Sequence, residues 1–137
     1  MNASQNQFKT KHYLFAILLF ALSSPLFAAD DPSIKGNLRD NIQQSMQSYI
    51  DHQTIDGHIY VFDSQKGKLL KLTLDELHSG IVKKGDFYVS CADFKDQDNR
   101  KIDMDFLVRA SDGKLITTQG IVHSVDGKKR KYHLEKI

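Results

Sequence analysis

The spacing of hydrophobic positions changes from helical to alternating near residue 57. Between residues 34 and 50 the apolar side chains recur every three or four residues, with polar side chains on the opposite side. This spacing predicts an amphipathic helix over 34–53, regular only after Asn37 because Gly36 weakens its first turn. Asp30 or Asp31 is the expected N-terminal cap of this helix.

Beyond residue 57 apolar and polar residues alternate, which is typical of half-buried strands. Short turns, two of them Asp-Gly, separate the alternating stretches and favour antiparallel hairpins. Gly120, inside one stretch, indicates a bulge or the close approach of another element. A single helical turn is predicted at 75–80. The six predicted strands are 58–63, 69–74, 87–95, 101–110, 115–125 and 130–134.

This order of elements predicts an α+β fold. An N-terminal amphipathic helix is expected to pack on a curved antiparallel meander sheet of five or six strands, because the apolar face of such a sheet needs a cover. Small domains of the cystatin-like and NTF2-like kind have this architecture. Such folds carry unrelated functions, so the architecture alone implies no activity.

The N-terminus has the pattern of a secretory signal peptide. Two lysines precede an apolar run over 13–22, and Pro25 separates that run from a small-residue cleavage site. We predict cleavage after Ala28, so that 1–28 is the signal peptide and 29–137 is a single periplasmic or secreted domain. The apolar run is shorter than the roughly 20 residues that span a bilayer, so no stable membrane span is expected after cleavage.

The charge balance argues against a nucleic-acid or anionic-membrane partner. The chain has 19 Lys and Arg residues against 17 Asp and Glu, and the predicted signal peptide contains two lysines and no acid. The remaining domain is therefore balanced, whereas binding to nucleic acid or to an anionic membrane requires a cationic face. The one basic run, 128–131, fits a solvated hairpin turn better than a phosphate-binding patch.

Cys91 is the single cysteine, so the chain has no internal disulfide. It is a buried apolar residue, a metal ligand or half of an intermolecular bridge. Asp93 shares its strand face, since side chains two residues apart point the same way. Together with His78 and His123 these residues form a candidate Cu or Zn site, because thiolate, imidazole and carboxylate groups suit those ions. Core packing of Cys91 explains the pattern without a metal.

Asp103 and Asp105 are a second candidate pair. They share one face of the predicted fourth strand, opposite Ile102 and Met104. Alternation alone explains them as the solvent-facing side of the sheet. If the strands bring them beside Asp93, the carboxylates form instead a Ca²⁺ site or an acid–base pair.

The sequence contains no familiar catalytic motif, such as Gly-x-Ser-x-Gly, a phosphate-binding glycine loop or Cys-x-x-Cys. We therefore expect a non-enzymatic module that binds an unknown small ligand or protein. Metal binding is one alternative, and an NTF2-like enzyme with an aspartate base is another. The aromatic residues either pack the core or line a ligand pocket between helix and sheet. They are Tyr60, Phe62, Phe87, Tyr88, Phe94 and Phe106.

Four stretches resemble a group of small exported bacterial proteins. They are His78, the Tyr-x-x-Cys-Ala-Asp-Phe strand at 88–94, the Asp-x-Asp strand at 103–105 and the Val-His strand at 122–123 before Asp-Gly-Lys. The likeness covers roughly 57–133. It implies the same architecture and an exported location, and it groups the cysteine with its neighbouring aspartate and the two histidines. It implies no activity and no catalytic residue.

Overall fold

The computed structural model describes residues 29–132, so the predicted signal peptide lies outside the described residues. One helix is followed by six antiparallel strands, which lie in the sheet in chain order. The predicted α+β fold, a helix packed on an antiparallel meander sheet, is confirmed. No helix within 29–132 is long and apolar enough to cross a membrane. The elements are α1 Asn37–Gln53, β1 Ile59–Asp63, β2 Lys68–Lys84, β3 Phe87–Lys95, β4 Lys101–Ser111, β5 Lys114–Val125 and β6 Lys128–Lys129.

The apolar stripe of α1 packs on one face of the sheet, called here the inner face. Ile42, Met46 and Ile50 of the helix are buried. The ring of Phe106 in β4 lies in the core. Its centroid is 6.0 Å from the ring centroid of Tyr49 in α1 and 6.2 Å from that of Phe94 in β3. The opposite side of the sheet is called the outer face. Other inner-face residues that are fully buried include Leu72, Ala92, Ile102, Met104 and Val108.

The helix has the predicted extent but not the predicted cap. It begins after Gly36, whose φ is 57°, and no side chain within residues 29–132 caps its first turn. Asp31 instead accepts a hydrogen bond from the backbone N–H of Ser33 at 2.9 Å. Asp30 forms an ion pair with Arg39 at 2.8 Å. The two acidic residues therefore order the segment before the helix rather than its N-terminus.

Strand β2 differs most from the prediction. The expected helical turn at 75–80 is wrong, because these residues belong to one continuous 17-residue strand. Its first part pairs with β1 and its remainder with β3. The register shifts between Leu74 and Glu76 and again between Leu77 and Ile81. Each shift interrupts the alternation of the sequence, which is why the segment resembles a turn.

The last strand is also displaced from its predicted position at 130–134. β6 contains only Lys128–Lys129, and residues from 133 onward lie outside the described part of the chain. Just after β6, Arg130 forms an ion pair with Asp63 at the end of β1, with 2.5 Å between Nη2 and Oδ2. The chain after β6 is thereby tied to the first hairpin of the sheet.

Gly120 allows a close approach between β5 and the core. It lies opposite Phe106 in the β4–β5 ladder. A Cβ atom at this position would meet Met104 Cε at 2.8 Å and Phe106 Cε1 at 2.9 Å. The close approach predicted from the sequence is therefore confirmed, and the missing side chain leaves room for the phenylalanine ring.

Candidate metal centre

The outer face carries a polar cluster on the β3–β4 pair. Cys91 lies directly opposite Asp105, and Asp93 lies directly opposite Asp103. All four side chains face away from the helix, because the residues between them belong to the core and successive side chains of a strand point to opposite faces. The sequence placed the cysteine and the first aspartate on one face, and the register adds the other two aspartates.

Two β-bulges bring histidines to this cluster. On β2, residues 78–80 lie opposite the single residue Cys91. On β5, His123 has no partner residue on β4, because Val122 and Ser124 pair with the consecutive residues Met104 and Asp103. An inserted residue turns a side chain out of the regular alternation, and here both histidines reach carboxylates of the outer face. The prediction that His78 lies in a turn is wrong, since it belongs to the bulged part of β2.

Asp93 is a buried carboxylate of which one oxygen contacts two basic side chains and the other has no hydrogen-bond partner among the described residues. Its side chain is 4% exposed, and Oδ2 lies 3.0 Å from His78 Nε2 and 2.6 Å from Lys101 Nζ. Its Oδ1 is buried and has no hydrogen-bond partner among the described residues, and the same holds for His78 Nδ1 and Asp103 Oδ1. A buried polar atom without a partner costs about 1–3 kcal/mol. The cluster therefore has unused capacity to bind a ligand.

Asp105 collects three donors. Oδ1 accepts a hydrogen bond from Cys91 Sγ at 3.0 Å and lies 3.1 Å from His123 Nδ1, and the Tyr132 hydroxyl donates to Oδ2. Alternation predicted a solvent-facing carboxylate, which is wrong for Asp105 because it is 3% exposed. The Tyr132 ring also packs edge-on against His123, with 5.9 Å between the centroids. The C-terminal segment thus covers this end of the cluster.

The thiol of Cys91 is partly buried on the outer face rather than packed in the core. Burial raises its pKa far above the usual range, and the charge of Asp105 and the hydrogen bond to it raise the pKa further. The metal-free thiol therefore stays protonated at neutral pH. A bound cation would reverse this preference, because coordination to a metal replaces the thiol proton.

In the described part of the chain, three overlapping sets of donor atoms could hold an ion, with all atoms of a set within 4.8 Å of one another. The set with the thiol joins nitrogen, sulfur and oxygen donors, which is a combination that zinc accepts. His123 belongs to a different set, which shares Asp103 with the first. The four residues predicted as metal ligands thus lie in one cluster but not in one set. The sets are His78, Cys91 and Asp103; Glu76, His78 and Asp93; and Asp103, Asp105 and His123.

Asp103 is expected to destabilise the metal-free fold at neutral pH. Burial raises the pKa of its carboxyl; the charge of His123 lowers it, whereas Asp105 and Asp93 raise it. The folded-state pKa of Asp103 lies above the unfolded value, which is about 3.9. Below the unfolded pKa the carboxyl is protonated in both states, and the full stability of the fold is present. As the pH rises through the folded-state pKa, the buried carboxyl ionises and this stability is lost. Asp103→Asn should therefore raise the melting temperature at neutral pH and have little effect near the unfolded pKa.

Thermal unfolding in the presence of a chelator measures this difference. Asp98→Asn is the matched control, because Asp98 is 78% exposed in the β3–β4 turn and should change the melting temperature little. An unchanged or lower melting temperature for Asp103→Asn at neutral pH would show that the buried, ionised carboxylate of Asp103 does not destabilise the metal-free fold.

Comparison with known protein families, with curated proteins and with solved structures gives no match for this chain. The polar cluster is therefore interpreted from its own geometry. Three of its members, Glu76, Lys101 and Tyr132, were not predicted from the sequence. The contacts of Lys101 and Tyr132 depend on how the strand ends and the C-terminal segment fold over the sheet, which no local pattern records.

Proposed function

We propose that the protein is a non-enzymatic binding protein whose outer sheet face holds a divalent transition metal ion, with zinc the best match. The observation that carries the proposal is the set His78, Cys91 and Asp103, whose donor atoms lie within 4.8 Å of one another. Ligands of a tetrahedral zinc ion lie about 3.3–3.8 Å apart, given metal–ligand distances of about 2.0–2.3 Å. Small side-chain movements therefore suffice to close this set around an ion.

The arrangement around His78 supports the same conclusion. Its Nε2 lies 3.0 Å from Asp93, while its Nδ1 is buried and has no partner among the described residues. A histidine that binds a metal through one ring nitrogen usually donates the N–H of the other to a carboxylate, which fixes the tautomer and orients the ring. Asp93 is in the position of that carboxylate. The nitrogen left free is the one that would bind the ion.

The three ligands leave a fourth position for water or for a bound molecule, as in zinc sites that interact with a further ligand. Asp105 would then keep its hydrogen bonds to His123 and Tyr132 after Cys91 loses its proton. Asp105 would thus hold His123 and Tyr132 beside the ion without coordinating it.

We infer a cystatin-like or NTF2-like arrangement from the helix on its antiparallel sheet, and export from the pattern before Ala28. An NTF2-like enzyme would need a carboxylate base in a cavity between helix and sheet. Asp93, Asp103 and Asp105 instead lie on the outer face, which favours binding without catalysis.

Zinc titration of the purified, chelator-treated protein tests the proposal. We expect one zinc ion per chain in native mass spectrometry, and a cobalt–thiolate absorption band when Co²⁺ replaces zinc. Cys91→Ser should abolish that band and weaken zinc binding at least about ten-fold, because even residues that only orient a ligand contribute about 10–100-fold.

His58→Gln is the matched control, since the His58 ring contacts Thr73 outside the cluster, at 3.0 Å. This variant should bind zinc like the unaltered protein, and circular dichroism should confirm that both variants fold. Zinc binding that is unaffected by Cys91→Ser, or no binding at micromolar zinc, contradicts the proposal.

A further inference from the structure

A cleft lies at the end of the sheet where the turns after β1, β3 and β5 come together. Antiparallel pairing places these three turns at the same end. The cleft has a volume of about 390 Å³, and its floor includes Leu70, Ile102 and Val125. Leu70 and Ile102 belong to the buried core, so packing fixes the shape of the floor. No ligand residue proposed for the metal centre lines this cleft.

Positive charge surrounds the cleft. Six basic side chains line it against two acidic ones. Two of the six are already paired, Arg100 with Asp96 and Arg130 with Asp63. The other four form no ion pair within residues 29–132, and they extend from the β1–β2 turn and the β5–β6 turn. These four are Lys66, Lys68, Lys128 and Lys129.

The pair of Arg130 with Asp63 holds the two basic turns facing each other. Arg130 Nη2 lies 2.5 Å from Asp63 Oδ2, and Nη1 donates to Gln65 Oε1 at 3.1 Å. Asp63 Oδ1 also accepts the backbone N–H groups of Gln65 and Lys66, which orders the first turn. The Nε atom of Arg130 is buried and has no partner in the described part of the chain. One buried donor at the cleft is therefore unused.

We propose that this cleft binds a phosphate group, carried either by a small soluble ester or by the headgroup of a phospholipid. Four unpaired ammonium groups around a concave site concentrate an anion there, and phosphate oxygens accept strong, charge-assisted hydrogen bonds from such groups. The volume lies near the lower end of the roughly 300–1,000 Å³ typical of small-molecule sites. It suits a phosphorylated headgroup and is too small for a nucleic-acid duplex.

The basic run 128–131, predicted as a solvated hairpin turn, forms only half of this surface. The other half, Lys66 and Lys68, is more than fifty residues away in the chain. The contacts of Arg130 with Asp63 and Gln65 bring the two basic turns to one cleft.

NMR titration of the ¹⁵N-labelled protein with pyrophosphate, and co-sedimentation with phosphatidylglycerol vesicles, test the proposal. We expect saturable amide shifts confined to 63–68 and 126–130. The double variant Lys68→Gln/Lys128→Gln should weaken binding at least ten-fold. Lys83→Gln/Lys114→Gln removes the same charge at the opposite end of the sheet and should leave the affinity unchanged.

Saturation by pyrophosphate without binding to phosphatidylglycerol vesicles identifies a small soluble phosphate compound as the ligand class. Binding to phosphatidylglycerol vesicles but not to pyrophosphate, lost in the cleft variant and absent with phosphatidylcholine vesicles, identifies a lipid headgroup. The proposal is overturned if neither probe binds, or if the control variant loses as much affinity as the cleft variant. Neither result depends on whether zinc binds to the outer face.

Discussion

Replacing Arg130 with alanine is expected to lower the free energy of unfolding by about 3–5 kcal/mol. The substitution leaves the carboxylate of Asp63, which is 4% exposed, without its cation. Removing one partner of a buried ion pair is costly because the remaining charge stays buried and uncompensated. Denaturant unfolding should show a lower midpoint with an unchanged slope.

Arg109→Ala is the matched control for this effect. Arg109 pairs with Asp86 at 3.2 Å, but the two side chains are 62% and 69% exposed, and exposed pairs contribute only about 0.2–1 kcal/mol. The double variant Asp63→Asn/Arg130→Ala should regain part of the lost stability, because the buried charge is gone while an acceptor for the turn remains. Equal costs for the two arginine variants would mean that the buried pair does not stabilise the link between β1 and the C-terminal segment.

Phe106→Ala is expected to destabilise the protein by a similar amount, about 3–5 kcal/mol. The ring is fully buried and contacts both the helix, through Tyr49, and the neighbouring strand, through Phe94. The backbone of Gly120 lies against its edge. Removing the ring leaves a cavity between helix and sheet that these neighbours fill only in part, and differential scanning calorimetry measures the loss.

Phe62→Ala tests whether the face assignment of the sheet is right. Phe62 is 64% exposed on β1, so the same substitution there should change the stability by no more than about 0.5 kcal/mol. A large loss of stability for Phe62→Ala together with a small loss for Phe106→Ala would show that the helix packs on the opposite face of the sheet, and that the face assignment is wrong.

Local pattern was sufficient for most of the fold. The bounds of β3 match the prediction at both ends, and those of α1, β4 and β5 match within a few residues. In each of these strands the alternation runs long enough to define a face. It was not sufficient for β2, where two register shifts interrupt the alternation and imitate a turn. The shifts depend on the partner strand, which a single stretch of sequence does not reveal.

The candidate site was predictable only where it follows from alternation within one strand. Cys91 and Asp93 were correctly placed on one face for that reason. That His78 and His123 reach the same face depends on bulges and cross-strand register, which are long-range properties. Asp105 is covered by Tyr132, whose hydroxyl donates to its carboxylate and which lies 27 residues further along the chain.

The bulge at 78–80 joins the two faces of the sheet. The carbonyl of Ser79 accepts hydrogen bonds from Arg39 and Gln43 of α1, while the side chain of His78 meets Asp93 on the outer face. A ligand that immobilises His78 therefore also restrains the backbone on which the first turns of the helix rest. If a ligand binds more tightly when this backbone is held in place, thermodynamic linkage requires that occupancy of the outer face and docking of the helix favour each other. Residues 78 and 79 are thus a point at which a side chain of the outer face and a carbonyl that contacts the helix share one short segment of backbone.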